Sequence, residues 1–426
     1  MKAFPNEVYN LIVRAVRRNS DLKNFRLVSR ALSISATKEL FSKVYVTLPG
    51  PPGSQRNDEG DRDSASRLLT ILSSPMVKNV RNIQYTTSLE PNKDIDDYQN
   101  NEEASVLTDE MREVINQVNR FPNLTDLVVE FSCVCARIAA NDWYTMRPEE
   151  SVTFRANVLR TFLVALNDST HPMPHLESLS LKNLQNFNSD SVVKSSNFLQ
   201  LFSRLTELRL KIVTQHEDAS PENNWSYPEM HTFMTELPQL WLQPARENLT
   251  SLALHMDDFW GYVPKVDFRS LHFPKLKKLE LGNYTFSHDW QLEWILSHQA
   301  LEELILDDCP IVRHARNFGP IDQEGYLVTP TVSSGPTTIS RYDGRWAEYF
   351  RRLEGMPKLK KLKFGVGEWR DGRNFDGAEW VQDGVHGNMY MRFDRGMGPT
   401  PWSTWKGAAD EDAAAYGSLM ATLAKR

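Results

Sequence analysis

The chain has 426 residues, of which 40% are hydrophobic and 24% charged, and its formal net charge is −6. This composition excludes an intrinsically disordered chain, and the mild charge gives no argument for nucleic acid or membrane binding. The length exceeds what one compact hydrophobic core usually serves, so we expect several domains or an extended repeat array.

The number of cysteines, the N-terminal residues and the lengths of the apolar stretches predict where the protein is located in the cell. Three cysteines, Cys133, Cys135 and Cys309, are too few for a disulfide framework, which is typical of a reducing compartment. The N-terminus lacks the charged-then-apolar run of a secretory leader, and no apolar stretch approaches the ~20 residues of a membrane helix. The sequence therefore predicts a cytosolic or nuclear protein.

Residues 1–48 are expected to form a small basic helical domain. They carry nine Lys or Arg against three Asp or Glu, a net of +6 that leaves −12 for the remainder. Pro5 suits a first helical turn, and apolar residues from Val8 to Val16 recur at helical spacing. A second helix is predicted at 21–25 and a third from Ala31 to Phe41. The basic charge favours an acidic partner.

This head resembles an F-box, through Phe-Pro-x-Glu-Val, then Asp-Leu-x-x-Phe-Arg-Leu-Val-Ser-Arg, then Glu-Leu-Phe-x-x-Val. The resemblance implies docking on a Skp-type adaptor and, through it, on the cullin scaffold of an SCF ubiquitin ligase. Leu32 stands where the family often has Trp. The alternative is that the head is a helical cap on the following domain. The adaptor-facing residues that the resemblance implies are Phe4, Pro5, Val8, Ile12, Leu22, Leu27 and Val28.

A flexible linker is predicted at 49–63, because Pro and Gly dominate its start and charges its end. A hexad Leu-x-x-Leu-x-Leu then recurs along the chain. Its Leu-x-Leu alternation predicts a strand that buries one face. Helical patterns lie between the hexads, at Ser105–Val118, Phe154–Leu166, Trp290–Leu296 and Arg345–Leu353. The hexads, including degenerate ones, begin at Val80, Leu124, Leu176, Leu205, Leu249, Leu276, Leu301 and Leu359.

The repetition resembles divergent leucine-rich repeats, and Leu301 through Cys309 matches the longer family signature. We therefore expect an α/β protein with a curved solenoid at 64–365, parallel strands inside and helices outside. A long loop is expected at about 310–344, and an irregular Trp- and Gly-rich cap at 366–426. An ordinary α/β domain is the competing interpretation.

Strand positions beside the leucines are predicted to face solvent and to bind a protein substrate. They carry both signs of charge, which favours protein recognition over a phosphate-tracking groove. The predicted substrate-binding residues are Glu207, Arg209, Lys211, His255, Lys278, Glu280, Glu303, Asp307, Lys361 and Lys363.

The sequence has no nucleophile elbow, phosphate loop, dinucleotide-binding turn or His-Glu-x-x-His motif. Cys133 and Cys135, with His171 and His175, lack a second pair at metal-ligand spacing, so we expect structural cysteines and no cofactor. The resulting hypothesis is a non-catalytic substrate receptor of an SCF ubiquitin ligase. The alternatives are a leucine-rich interaction or ligand-sensing protein outside that system, and a hydrolase in the C-terminal segment.

Overall fold

The computed structural model describes most of the chain, namely residues 4–16, 18–49, 59–88, 91, 106–135, 150–215, 227–331, 334–367, 380–401 and 409–426. Most of the predicted linker, 50–58, lies outside the described residues. So do Trp369, Phe375, Trp402 and Trp405 of the predicted C-terminal cap.

The fold is α/β, with a parallel central sheet and helices, which confirms the coarser part of the predicted architecture. The α-helices are α1 (Asn6–Arg14), α2 (Asn19–Phe25), α3 (Arg30–Leu40), α4 (Glu59–Leu72), α5 (Asp109–Asn116), α6 (Val152–Leu166), α7 (Asp190–Val193), α8 (Ser196–Phe202), α9 (Pro228–Leu237), α10 (Asp289–Ser297), α11 (Trp346–Glu354) and α12 (Ala409–Leu423). None of the described helices is long and apolar enough to cross a membrane.

The strands alternate with these helices along most of the chain. They are β1 (Lys43–Thr47), β2 (Asn82–Thr86), β3 (Asp126–Glu130), β4 (Ser178–Gln185), β5 (Glu207–Val213), β6 (Ser251–Trp260), β7 (Lys278–Tyr284), β8 (Glu303–Asp307), β9 (Ile311–Phe318), β10 (Thr337–Arg341), β11 (Lys361–Gly367), β12 (Trp380–Asp383), β13 (Tyr390–Asp394) and β14 (Gly398–Pro401). The four predicted helical stretches correspond to α5, α6, α10 and α11.

The chain divides into two compact units. Of the described residues, those at 4–91, 106–131 and 157–181 form the first unit. Those at 132–135, 150–156 and 182–426 form the second. The predicted domain boundaries at 48, 63 and 365 stay a prediction.

The N-terminal helical unit, residues 4–42, has a very small core. Val13, Leu22 and Ala36 are buried, and Val16, Phe25, Leu32 and Leu40 pack against them. The Ser29 side chain caps α3 by accepting the backbone N–H of Leu32 at 3.2 Å. So few buried residues give the helices little stability of their own.

The head predicted at 1–48 is helical only up to Leu40, because β1 follows it. Val44 and Val46 of this strand are buried, whereas Lys43 and Tyr45 are exposed. β1 pairs in parallel with β2, and β2 pairs in parallel with β3. The hexads that begin at Val80 and Leu124 therefore lead into β2 and β3, in which buried and half-buried residues mostly alternate.

In the second unit, β5, β6, β7, β8 and β11 are parallel neighbours in that order. The hexad leucines are in register across all five strands and are at most 3% exposed. Burying a leucine contributes about 1.5–3 kcal/mol before entropy is subtracted, so these ladders are the main core of the unit. The first ladder of leucines is Leu208, Leu252, Leu279, Leu304 and Leu362.

A left-handed residue recurs two positions after the last leucine of a hexad. Asn183, Asn283 and Asp308 have φ of 57°, 56° and 48°. Asn and Asp tolerate this conformation better than most side chains, so they redirect the chain at each of these positions. The Asn283 amide also donates to the backbone oxygen of Met256 at 3.0 Å.

Two expectations about irregular segments are wrong. The loop expected at 310–344 contains β9 and β10, which pair antiparallel, and β13 and β14 extend them into a four-stranded sheet. In the predicted irregular cap, the described residues form β12, β13, β14 and α12. Helix α12 is fixed by Asp412, which accepts the Ala347 N–H and the Tyr390 hydroxyl, each at 2.8 Å.

Candidate functional site

The side chains that alternate with the leucines of β5, β6, β7, β8 and β11 lie on the opposite face of the sheet, in three rows. We call these fifteen residues the polar face. All ten predicted substrate-binding residues belong to it. The rows are Glu207, Ser251, Lys278, Glu303 and Lys361; Arg209, Ala253, Glu280, Ile305 and Lys363; and Lys211, His255, Gly282, Asp307 and Gly365.

The first two rows hold partly exposed ion pairs. Lys361 Nζ lies 2.6 Å from Glu303 Oε1, and Arg209 Nη2 lies 3.6 Å from Glu207 Oε2. Acidic and basic side chains therefore alternate across the strands, and neither sign dominates these two rows.

The third row is buried, which corrects the expectation that all ten residues face solvent. Lys211, His255 and Asp307 are 6%, 3% and 4% exposed. The His255 ring lies over Gly282, where an added Cβ would come 2.7 Å from the ring atom Cε1. His255 Nε2 is 3.0 Å from Glu280 Oε1. Glycine at 282 is what lets the imidazole reach across β7 to this carboxylate.

Asp307 is held against the end of β11. Its Oδ1 accepts the backbone N–H of Gly367 at 2.6 Å, and a Cβ on Gly367 would come 2.6 Å from Oδ2. Burial raises the pKa of Asp307 to about 6, and the charges of Asp308 and Glu280 act in the same direction. The charge of His255 and the Gly367 N–H oppose that shift without cancelling it.

The pKa of Glu280 is shifted in the opposite direction to that of Asp307. Burial alone would raise its pKa, but the hydrogen bond from His255 and the positive charges of His255, Lys278 and Arg209 outweigh burial and lower the pKa. Lys278 Nζ lies 3.7 Å from Glu280 Oε2. On the polar face, nearby positive charges and a hydrogen bond thus offset the burial of the Glu280 carboxylate, whereas they do not offset the burial of the Asp307 carboxylate.

Sequence reasoning missed the glycines that shape this site. Gly282 directly follows a hexad, and Gly365 and Gly367 flank Val366 at the end of β11. A glycine directly after a buried strand triplet is a usable signal, because glycine inside a strand often marks close approach of other atoms.

The residues predicted to bind an adaptor do not share one environment. Phe4, Ile12, Leu27 and Val28 are 63%, 41%, 86% and 69% exposed. Pro5 is exposed and Val8 is half-buried. Leu22 is 4% exposed and belongs to the core of the helical unit, so its prediction as a contact residue is wrong. Leu22 is buried because it packs with Val13 and Ala36.

The cysteines lie in ordinary packed surroundings. Cys135 is buried, its Sγ lies 3.4 Å from Arg155 Nη1, and burial raises its pKa to about 12. Within the described ranges, no group of three or more His, Cys, Asp or Glu is arranged to hold a metal ion.

The chain was compared with family models, curated proteins and solved structures. No family model matches the chain, and no curated protein matches it. Among solved structures, the chain is similar to native xylanase 10B from Thermotoga maritima, with 10% sequence identity and a TM-score of 0.22 over 92% of this chain and 98% of that one. A likeness at this TM-score carries no argument about fold or activity.

The comparisons overturn the identification as an F-box protein with leucine-rich repeats, since no family model matches the chain. We therefore correct that identification, the ubiquitin-ligase receptor function drawn from it, and the assignment of the chain as non-catalytic. The physical reason is general. Leucine alternation specifies a buried strand, and a short apolar helical run specifies a small helical unit, but neither specifies a family or a function.

Proposed function

We propose that the polar face of the second unit binds an extended polypeptide segment. The observation that carries the proposal is the register of five parallel strands, which aligns charged side chains of both signs in contiguous rows. Such a surface suits a ligand that carries both signs of charge. A nucleic acid backbone would require a basic surface instead.

The size of the polar face favours a segment over a folded domain. Five strands span about 19 Å across the sheet, and three rows span about 13 Å along the strands. The resulting area of roughly 250 Å² is well below the ~800 Å² per partner of a standard protein interface. About six residues of extended chain, at ~3.3 Å each, match the longer dimension.

Two neighbouring lysines offer a matched test. Lys361 Nζ lies 2.6 Å from Glu303 Oε1 on the polar face, and its side chain is 52% exposed. Lys360 Nζ lies 2.8 Å from Glu302 Oε2 with 58% exposure, but Lys360 precedes β11 and is not part of the face. The two residues thus differ mainly in position.

The experiment selects displayed peptides on the wild-type chain and measures their affinity for the variants K361E and K360E. We expect K361E to weaken binding at least about tenfold, because charge reversal on a direct contact residue both removes and opposes an attraction. K360E should bind like wild type. Equal affinity of the selected peptides for wild type and K361E, or an equal loss in both variants, would count against the polar face.

A second binding surface is favoured by the exposed apolar side chains of the N-terminal helical unit. We propose that Leu27, Val28 and Ile12 contact a protein with an apolar groove and an acidic rim, since the surrounding sequence is basic.

This second surface is tested with L27D and with L199D as a control, because Leu199 is an exposed leucine elsewhere, on α8. Affinity capture should recover an acidic protein with wild type and with L199D, and lose it with L27D. Recovery of the same proteins by all three chains would contradict the proposal.

A further inference from the structure

The carboxylates of the polar face differ in whether a counter-ion lies beside them. Glu207, Glu280 and Glu303 each have a basic side chain within 4 Å. Across the described residues, Asp307 has none. Among the residues that the structure describes, one donor reaches its carboxylate, the backbone N–H of Gly367. A carboxylate offers roughly four acceptor positions, so this donor leaves most of its capacity unused.

The surroundings of Asp307 provide little positive charge. Two of its charged neighbours are acidic, namely Asp308, which directly follows β8, and Glu280 of β7. The third is His255 of β6, whose ring is hydrogen-bonded to Glu280. In its own row Asp307 stands between Gly282 and Gly365, neither of which has a side chain. On β11 the nearest charged residue of the face is Lys363, in the next row.

A buried carboxylate without a counter-ion is unfavourable, and a cation supplied from outside relieves it. A neutral group of the same shape gives no such gain, and an anion adds repulsion. The position is also constrained, because the backbone N–H of Gly367 holds one carboxylate oxygen and the space beside the other has no room for a side chain at residue 367. A rigid acceptor loses little entropy when a ligand binds.

We infer that Asp307 is the anchor of the polar face and takes one cationic side chain, lysine or arginine, of the bound polypeptide. The inference rests on the proposed function and adds the chemistry of the ligand. The cation lies against the carboxylate of Asp307 and acts as the counter-ion that the described part of the chain does not provide.

Recognition by this anchor depends on pH. The pKa of Asp307 is about 6, so the ionised fraction rises about tenfold between pH 5 and pH 7. A cationic ligand binds the ionised form, and its affinity should rise by a similar factor. His255 and Glu280 face the same site, so the variant of Asp307 is needed to assign the pH dependence to this residue.

The test uses acetyl-Gly-Arg-Gly-amide and the same peptide with citrulline, which is neutral and nearly isosteric with arginine. Binding to the full chain is measured calorimetrically at pH 5, 6 and 7. We expect wild type to prefer the arginine peptide, and the preference to grow about tenfold from pH 5 to pH 7. D307N should lose both the preference and its pH dependence. E303Q removes a carboxylate of the same face and should retain both.

Three results would overturn the inference: equal binding of the two peptides by wild type, an unchanged preference in D307N, or no binding of the arginine peptide at all. Peptides obtained by selection separate this failure from failure of the proposed function. If they bind D307N and wild type equally but are weakened by K361E, the face binds polypeptides and Asp307 is not its anchor. If K361E also leaves them unchanged, the proposed function itself fails.

Discussion

Replacing Asp307 with asparagine should stabilise the second unit at neutral pH. The pKa of Asp307 is about 6 in the folded chain, against an ordinary value of 3.8. The folded state therefore holds this proton more tightly than the unfolded state. The contribution of the Asp307 carboxyl group to the free energy of unfolding is fully present below about pH 4, and it is lost as the pH rises through about 6. A difference of about two pKa units corresponds to about 3 kcal/mol.

The variant removes this titration while keeping the main contact. An asparagine Oδ1 can still accept the Gly367 N–H that Asp307 accepts at 2.6 Å. The free energies of unfolding of D307N and wild type should be similar near pH 4. They should diverge as the pH rises and differ by up to about 3 kcal/mol above pH 7, with the variant more stable.

Urea unfolding followed by tryptophan fluorescence is the appropriate assay. The described residues of the first unit include no tryptophan, whereas Trp241, Trp260, Trp290, Trp294 and Trp346 lie in the second unit, so the signal reports on that unit. E303Q serves as control. It removes a partly exposed ion pair with Lys361, and it should change stability by no more than about 1 kcal/mol. A difference between D307N and wild type that is equal at pH 4 and pH 8 would refute the reasoning.

Three further variants test other parts of the structure. G282A should destabilise the second unit by about 1–3 kcal/mol, because the new Cβ would push the His255 ring away from Glu280. Urea unfolding measures the loss, and the NMR chemical shifts of the His255 ring should change. L279A should cost about 2–5 kcal/mol in the same unfolding assay, since Leu279 is fully buried in the leucine ladder. L27D should leave thermal stability within about 0.5 kcal/mol of wild type, because Leu27 is 86% exposed.

The sequence predicted the strands of the second unit because alternation is a local property. The last three residues of each hexad there lie in a strand, and the intervening side chains share one face. Strand β1 had the same kind of signal, since Val44 and Val46 alternate with Lys43 and Tyr45. It was missed because the segment was assigned to the helical head, where Val44 was counted as part of a helical motif.

Burial of the third row could not be predicted from local pattern. Asp307 and Gly367 are 60 residues apart, and His255 and Glu280 are 25 apart. The strand register that brings each pair together depends on the whole ladder. For the same reason Leu22 was misassigned: a helical stripe identifies apolar residues but does not decide which of them face a neighbouring helix.

Stability and recognition make opposite demands on Asp307. An asparagine or an apolar side chain at this position would remove a buried charge that destabilises the folded chain at neutral pH. Either replacement would also remove the acceptor that distinguishes a cationic ligand from a neutral one. If D307N is more stable than wild type and binds the arginine peptide no better than the citrulline peptide, the two effects arise from one property. That property is an ionised carboxylate that has no counter-ion among the described residues. A more stable variant that keeps its preference for arginine would separate them, and the cation would then have to contact Glu280 or Glu303.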